Sequence, residues 1–323
     1  MTILPKVLSD ISTPMHPLTR SDDARSRAWA RAMGLEPDTP AAVRLDRAQA
    51  ARYSGWFWPG ALPERYDACA DLKTWFFVED DHNDEGEHCA DPARLEAALG
   101  AVHRHVFSTP VAHPSPLAAG LADIHERARA GMSAEWIRRN ARHFADHWDA
   151  MTQAAALRRY GAGLFGSDTD SFMSLWRDSH AFWCELDFIE VGLGRSLPSA
   201  LYHHPVFRDM GRLSMNLICS VNDIVSRVKD TAESDPFSML THLQRRHGCQ
   251  PDEAVHMTLS LIEEWTEQFL TLEEQWPNAL DLIDVSGQDR ELALACAAGL
   301  RHAFRGSAEW TVTTSRYRQV DDQ

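Results

Sequence analysis

No stretch of this 323-residue chain approaches the roughly 20 consecutive apolar residues that a membrane-crossing helix needs, so it offers no candidate helical span. Basic charge is scarce as well. Thirty-two Lys and Arg face 47 Asp and Glu, for a net charge of −15. That balance argues against nucleic acid and anionic membranes, both of which recruit positive surface. The six cysteines (Cys69, Cys89, Cys184, Cys219, Cys249, Cys296) are scattered, with no CxxC pair, and are expected as reduced thiols in a cytoplasmic protein. Met1 to Ser9 lacks a long apolar core and is interrupted by Pro5, so no secretory leader is expected. There is no sustained strand-type alternation, no internal repeat and no low-complexity linker. Sixteen histidines contain no HExxH or comparable metal pair.

What is present is helix. A hydrophobic content of 44%, with 11 Trp and 13 Phe, supports a substantial core. Residues 1–20, with Pro5, Pro14 and Pro17, read as an irregular N-terminal arm. Ser21-Asp22-Asp23 is expected to cap a helix running to about Met33, and Thr39-Pro40 to open the next with proline at its first position. Further helices are expected from Leu62-Pro63-Glu64, Asp91-Pro92, Ser133, Pro205 and Pro251-Asp252-Glu253. One more spans 168–192 and stops at Gly192-Leu193-Gly194, and the last runs from about Gln288 to Arg318. The expected architecture is all-α: a single helical domain over 21–318 with a short tail at 319–323. Tyr53, Trp56, Phe57 and Trp58, cut off by Pro59-Gly60, read as packing under a loop.

Two polar clusters interrupt the helical pattern. The first is Asp80-Asp81-His82-Asn83-Asp84-Glu85. Asp80 and Asp84 fall one turn apart on one face, and Phe76 and Phe77 lie one turn earlier. Five acids between Glu79 and Glu85 repel one another and oppose the dipole of a helix C-terminus. A divalent cation would relieve both; a solvated acidic helix end is the plain alternative. In the second cluster Asn222, Ser226 and Asp230 stand at i, i+4 and i+8, one ridge of amide, hydroxyl and carboxylate oxygens, with Lys229 alongside. Hard oxygens of this kind suit Mg²⁺, which keeps positions for water and phosphate. Taken alone, this ridge also reads as a solvent face.

Together the clusters resemble class I terpene synthases of the microbial type. Asp80-Asp81-x-x-Asp84-Glu85 is similar to their aspartate-rich DDxxD motif, and Asn222-Asp223-x-x-Ser226-x-x-Lys229-Asp230 to their NSE/DTE motif. Arg177, 45 residues before Asn222, matches an arginine that senses diphosphate, and Arg316-Tyr317 matches a C-terminal Arg-Tyr pair. The resemblance covers about residues 50–320. It departs at Asp230, where the family usually has Glu, and at Ala181, where many bacterial members have a glycine whose carbonyl faces the substrate.

The resemblance implies a helical bundle with a deep apolar cavity and three Mg²⁺ bound with a prenyl diphosphate. Asp80, Asp81, Asp84, Asn222, Ser226 and Asp230 would be the metal ligands; Arg177, Lys229, Arg316 and Tyr317 would hold the diphosphate. Phe76, Phe77, Ala181, Phe182 and Trp310, with Trp183 a weaker candidate, would line the cavity. The implied reaction is Mg²⁺-dependent ionisation and cyclisation of an acyclic prenyl diphosphate, C15 favoured and C20 next, with homodimerisation common in the family. The rival readings are a chain-elongating prenyltransferase, for which the second DDxxD is missing, and a non-catalytic isoprenoid-binding helical protein.

Overall fold

The computed structural model describes residues 4–36, 38–85, 91–161, 169–230, 237–283, 285 and 287–316, without the side chains of 84–85 and 227–230. Its elements are all helices: α1 Lys6–Ser9, α2 Thr19–Ala32, α3 Thr39–Ala48, α4 Ala50–Phe57, α5 Pro63–Glu85, α6 Pro92–Phe107, α7 Pro116–Arg129, α8 Ala134–Tyr160, α9 Thr169–Ser179, α10 Phe182–Gly192, α11 Ser199–Tyr202, α12 Pro205–Asp230, α13 Met239–His247, α14 Pro251–Leu282 and α15 Gly287–Thr313. Local chemistry starts most of them. The Asp38, Asp91, Ser115, Ser133 and Ser238 side chains accept from the first-turn N–H groups of α3, α6, α7, α8 and α13. At α14, Gln250 and Glu253 form a reciprocal capping box ahead of Pro251.

Several boundaries differ from expectation. The N-terminal arm contains the single turn α1, and α2 begins at Thr19, two residues before Ser21. Asp22 is not a cap: it is buried and binds Arg25 Nε at 2.6 Å. The aromatic run at Tyr53–Trp58 forms α4 and its end, and packs against α5 and α15. The helix expected across 168–192 is two helices, α9 and α10, separated at Ala181, whose backbone is left-handed (φ 60°).

The centre of the bundle is α5. From Ala68 to Phe77 every residue is buried, the signature of a helix enclosed on all sides. Its buried charges are paired. Asp71 receives Arg25 at 2.7 Å, Arg127 at 2.9 Å and the Ser26 hydroxyl at 3.1 Å. Around α5 pack α2, α4, α7 and α10, while α12 is clasped between α14 and α15. Behind α10 a second network centres on Asp187, which accepts from Arg139, Asn140 and His143. Burial alone would raise its pKa, but His143 and Arg139 outweigh it and hold Asp187 at about 2.

Candidate active site

One cavity of about 250 Å³ opens between α5 and α12. Asp80, Asn222 and Ser226 line it together, so the two polar clusters, some 140 residues apart in the chain, share one opening. Phe76, Phe77, Ala181, Phe182 and Trp310 line it as well. Trp310 stacks on Tyr53 with centroids 4.3 Å apart and 6° between planes, and its indole N–H bonds the Ala48 carbonyl at 2.7 Å. Phe77 packs against this pair, 5.2 Å from Trp310. The aromatic wall is therefore built from α4, α5 and α15, and its tryptophan is pinned.

The mouth is held by arginines. Arg316 Nη2 donates to Asp80 Oδ2 at 2.6 Å and to Asp81 Oδ1 at 2.8 Å, while its guanidinium carbon stands 5.1 Å over the Phe77 ring. Arg44 Nε reaches the other Asp81 oxygen at 3.1 Å. Burial, foremost, raises the Asp81 pKa against these cations. Asp81 is thus tied to α3 rather than forming part of the cavity wall. Arg177 is half-buried on α9 and donates to Asn216 Oδ1 at 3.1 Å, on α12 but outside the cavity lining; burial lowers its pKa. Asp84, Lys229 and Asp230 belong to α5 and α12, but their side chains lie outside the described residues, as does Tyr317 entirely. Trp183 is turned away from the cavity, so close to Gly211 that a Cβ there would meet its ring at 3.0 Å.

The break at Ala181 shapes the upper wall. Its carbonyl accepts from the N–H groups of Cys184 (2.9 Å) and Glu185 (3.4 Å), so it is engaged in the first turn of α10 rather than turned to the cavity. His180 Nδ1 lies 2.7 Å from the Trp176 carbonyl. Asp223, the second residue of the downstream cluster, has a structural task. Its Oδ2 accepts from Trp176 Nε1 at 3.0 Å and from Met239 N at 2.7 Å, tying α9 and the start of α13 to α12.

Among the wall residues to which the sequence reading gave no role are Lys73, placed there only on the face of the first cluster, and Glu185. Both line the cavity, and the ammonium of Lys73 bonds Glu185 Oε2 across 112 positions of sequence. The wall is therefore not uniformly apolar. The signal was present: Lys73 stands at i−7 from Asp80 on the same helical face, and α10 carries acids within an otherwise apolar run.

The donor set fits a hard divalent cation. The cavity mouth offers carboxylate, amide and hydroxyl oxygens from facing helices and, among the described residues, no thiolate. Among the described residues no group of three or more His, Cys, Asp or Glu side chains forms a separate metal cluster.

Comparisons with known proteins identify the family. Residues 71–268 match the model of terpene synthase family 2, C-terminal metal binding. The chain is 28% identical over 307 residues to pentalenene synthase of Streptomyces avermitilis, covering 93% of this chain and 90% of that one. It is 24% identical over 330 residues to a (−)-β-caryophyllene synthase of Saccharothrix espanaensis, described as (2E,6E)-farnesyl diphosphate cyclizing, covering 98% of this chain and 88% of that one. Among solved structures, a cucumene synthase variant superposes with a TM-score of 0.85 at 26% identity, covering 96% of this chain and 99% of that one. The two facing polar clusters, the all-α bundle and the family match lead to one conclusion: the chain belongs to terpene synthase family 2, the bacterial class I terpene synthases.

Proposed function

We propose that this terpene synthase, a carbon–oxygen lyase that releases diphosphate, acts on farnesyl diphosphate and closes it to a sesquiterpene hydrocarbon or alcohol. The observation that carries this reading is the placement of Asp80 opposite Asn222 and Ser226 at the mouth of one aromatic-walled cavity. The farnesyl assignment is supported by the relative described as cyclising that substrate; the C20 diphosphate is the next choice.

Family membership implies a divalent metal, and we assign it as three Mg²⁺ that would be held by Asp80 and Asp84, with Asp81 once released from Arg44 and Arg316, on one side and by Asn222, Ser226 and Asp230 on the other. Bound there, Mg²⁺ supplies the positive charge that stabilises the departing diphosphate. Arg316, with Lys229 and Tyr317, acts as a donor to diphosphate oxygens, and Arg177 joins them on exchanging Asn216 for the substrate; the guanidinium forks suit that task. Phe76, Phe77, Phe182 and Trp310 exclude water, which would quench an allylic cation, and each ring face stabilises positive charge by about 0.5–2 kcal/mol.

The test is incubation of the purified protein with Mg²⁺ and the C10, C15 or C20 diphosphate, followed by gas chromatography–mass spectrometry of a hexane extract. A cyclic C15 product, abolished by EDTA and by Asn222→Ala, is the expected outcome. Longer prenyl diphosphates would make the protein an elongating enzyme instead. Binding without turnover, unaltered in Asn222→Ala, would make it an isoprenoid carrier.

A further inference from the structure

Two turns below Asp80 on the same face of α5, roughly 10 Å deeper, Lys73 meets Glu185 of α10. Both side chains are enclosed, with 2% and 4% of their surface exposed. The Lys73 ammonium is seated against the faces of Tyr53 (3.8 Å), Phe57 (4.1 Å), Trp58 (5.2 Å) and Phe182 (5.7 Å). Its charge is thereby spread over four rings, of which Tyr53 and Phe182 also line the cavity. Glu185 uses one oxygen, Oε2, for Lys73. Among the described residues Oε1 takes no hydrogen bond, and it is not sealed off as a buried atom. Because Glu185 also lines the cavity, that oxygen is left to the occupant.

An ion pair in this place is costly. Burial pushes the Glu185 carboxyl up and pulls Lys73 down to about 8, each opposed by the partner's charge. Two apolar residues would make an equally closed wall at less expense. The pair instead puts a basic oxygen at the end of the cavity remote from the diphosphate mouth.

We propose that Glu185, held ionised by Lys73, is the proton acceptor that ends the carbocation sequence; this rests on the cyclisation proposed above. In that step a C–H bond next to the cationic carbon breaks. Its electron pair becomes the second bond of a new alkene, and the proton passes to Glu185 Oε1. The products are a neutral terpene olefin and a Glu185 carboxylic acid still bonded to the Lys73 ammonium. The acid returns its proton to water when the cavity opens. The assignment selects a hydrocarbon over an alcohol as the main product, and Lys73 is a positioning residue that keeps the base charged.

The experiment compares wild type with Glu185→Gln, which preserves shape while removing the base, reading diphosphate release and product distribution together. Diphosphate release is expected to continue at a reduced rate. The share of the main wild-type olefin should fall at least tenfold, with double-bond isomers or alcohols in its place. The same olefin in the same share overturns the assignment, and so does a loss of rate alone, which is what a purely structural pair would give. If Glu185→Gln does not fold because Lys73 is stranded, the double variant Lys73→Met, Glu185→Gln removes both charges and carries the same comparison. Failure of wild type itself to make any cyclic product would overturn the cyclisation reading and this inference with it. That failure is separable because it is read in the unmodified protein.

Discussion

Arg316 Nη2 stands 2.6 Å from Asp80 Oδ2, so a residue 236 positions downstream closes over the first carboxylate of the α5 cluster. The same nitrogen reaches Asp81, and the guanidinium covers the Phe77 ring, so one side chain bridges the polar mouth and the aromatic wall. On the proposed function, diphosphate would compete for Arg316 and the metal for Asp80. Arg316→Ala removes a charge-assisted donor worth about 1.5–3 kcal/mol, or roughly a 10- to 150-fold loss of kcat/KM. Steady-state diphosphate release measures it; a loss below twofold would remove Arg316 from the reaction.

Asn222 and Ser226 are expected to act on metal more than on folding. Ser226→Ala or Asn222→Ala should raise the Mg²⁺ concentration for half-maximal turnover by roughly tenfold or more, since each removes one hard oxygen. Thermal unfolding without metal should shift little for Ser226→Ala. A Mg²⁺ dependence like wild type's in both variants would place the metal elsewhere.

Asp223 sits one residue along, yet the opposite balance holds. Asp223→Ala strands the Trp176 indole N–H and the Met239 amide, both buried, at about 1–3 kcal/mol each. Urea denaturation should therefore show a loss of several kcal/mol, roughly twice the cost of a single buried donor. A midpoint unchanged from wild type would disprove the tie between α9, α12 and α13.

Ala181 holds a left-handed backbone that costs a non-glycine residue about 1–2 kcal/mol. Ala181→Gly should raise stability by about 0.5–1 kcal/mol after the added freedom of the unfolded chain is subtracted. Ala181→Val should lower it. Destabilisation by glycine, read in the same denaturation assay, would mean the alanine methyl contributes more packing than the backbone costs.

His125 is fully enclosed by rings, 4.8 Å from Phe107 and 5.5 Å from Phe144, and among the described residues its Nε2 has no hydrogen-bond partner. Burial, helped by Arg129, lowers its pKa from 6.5 to about 3. Between those values the unfolded chain takes up a proton that the folded protein refuses. Stability is therefore lost as pH falls from about 6.5 toward 3, on the order of 4 kcal/mol across the window. His125→Leu should cancel that slope relative to wild type, as read from urea midpoints at pH 7.5 and 4.5. Parallel slopes would show that other groups set the acid limit.

The helix starts at Asp91, Ser133 and Pro251 were legible because capping and proline rules act within three or four residues. The faces of the two polar clusters were legible for the same reason, since helical periodicity alone puts Asn222 beside Ser226. The break at Ala181 was legible only through the family resemblance, because no glycine or proline marks it and its left-handed turn is imposed by the packing around α9 and α10. Arg177 matched a motif in number, but its partner in space is Asn216, a pairing set by how α9 lies on α12.

The chain by itself determined an all-α fold, the order of its two oxygen-rich clusters and the chemistry those oxygens suit. Those properties follow from neighbours within a turn or two of helix. Only the tertiary structure decided that the clusters share one mouth, that Asp223 ties α9 and α13 to α12, and that Lys73 finds Glu185 112 residues away. A charge becomes costly or useful only once it is known what encloses it, and enclosure is a property of packed helices drawn from distant parts of the chain.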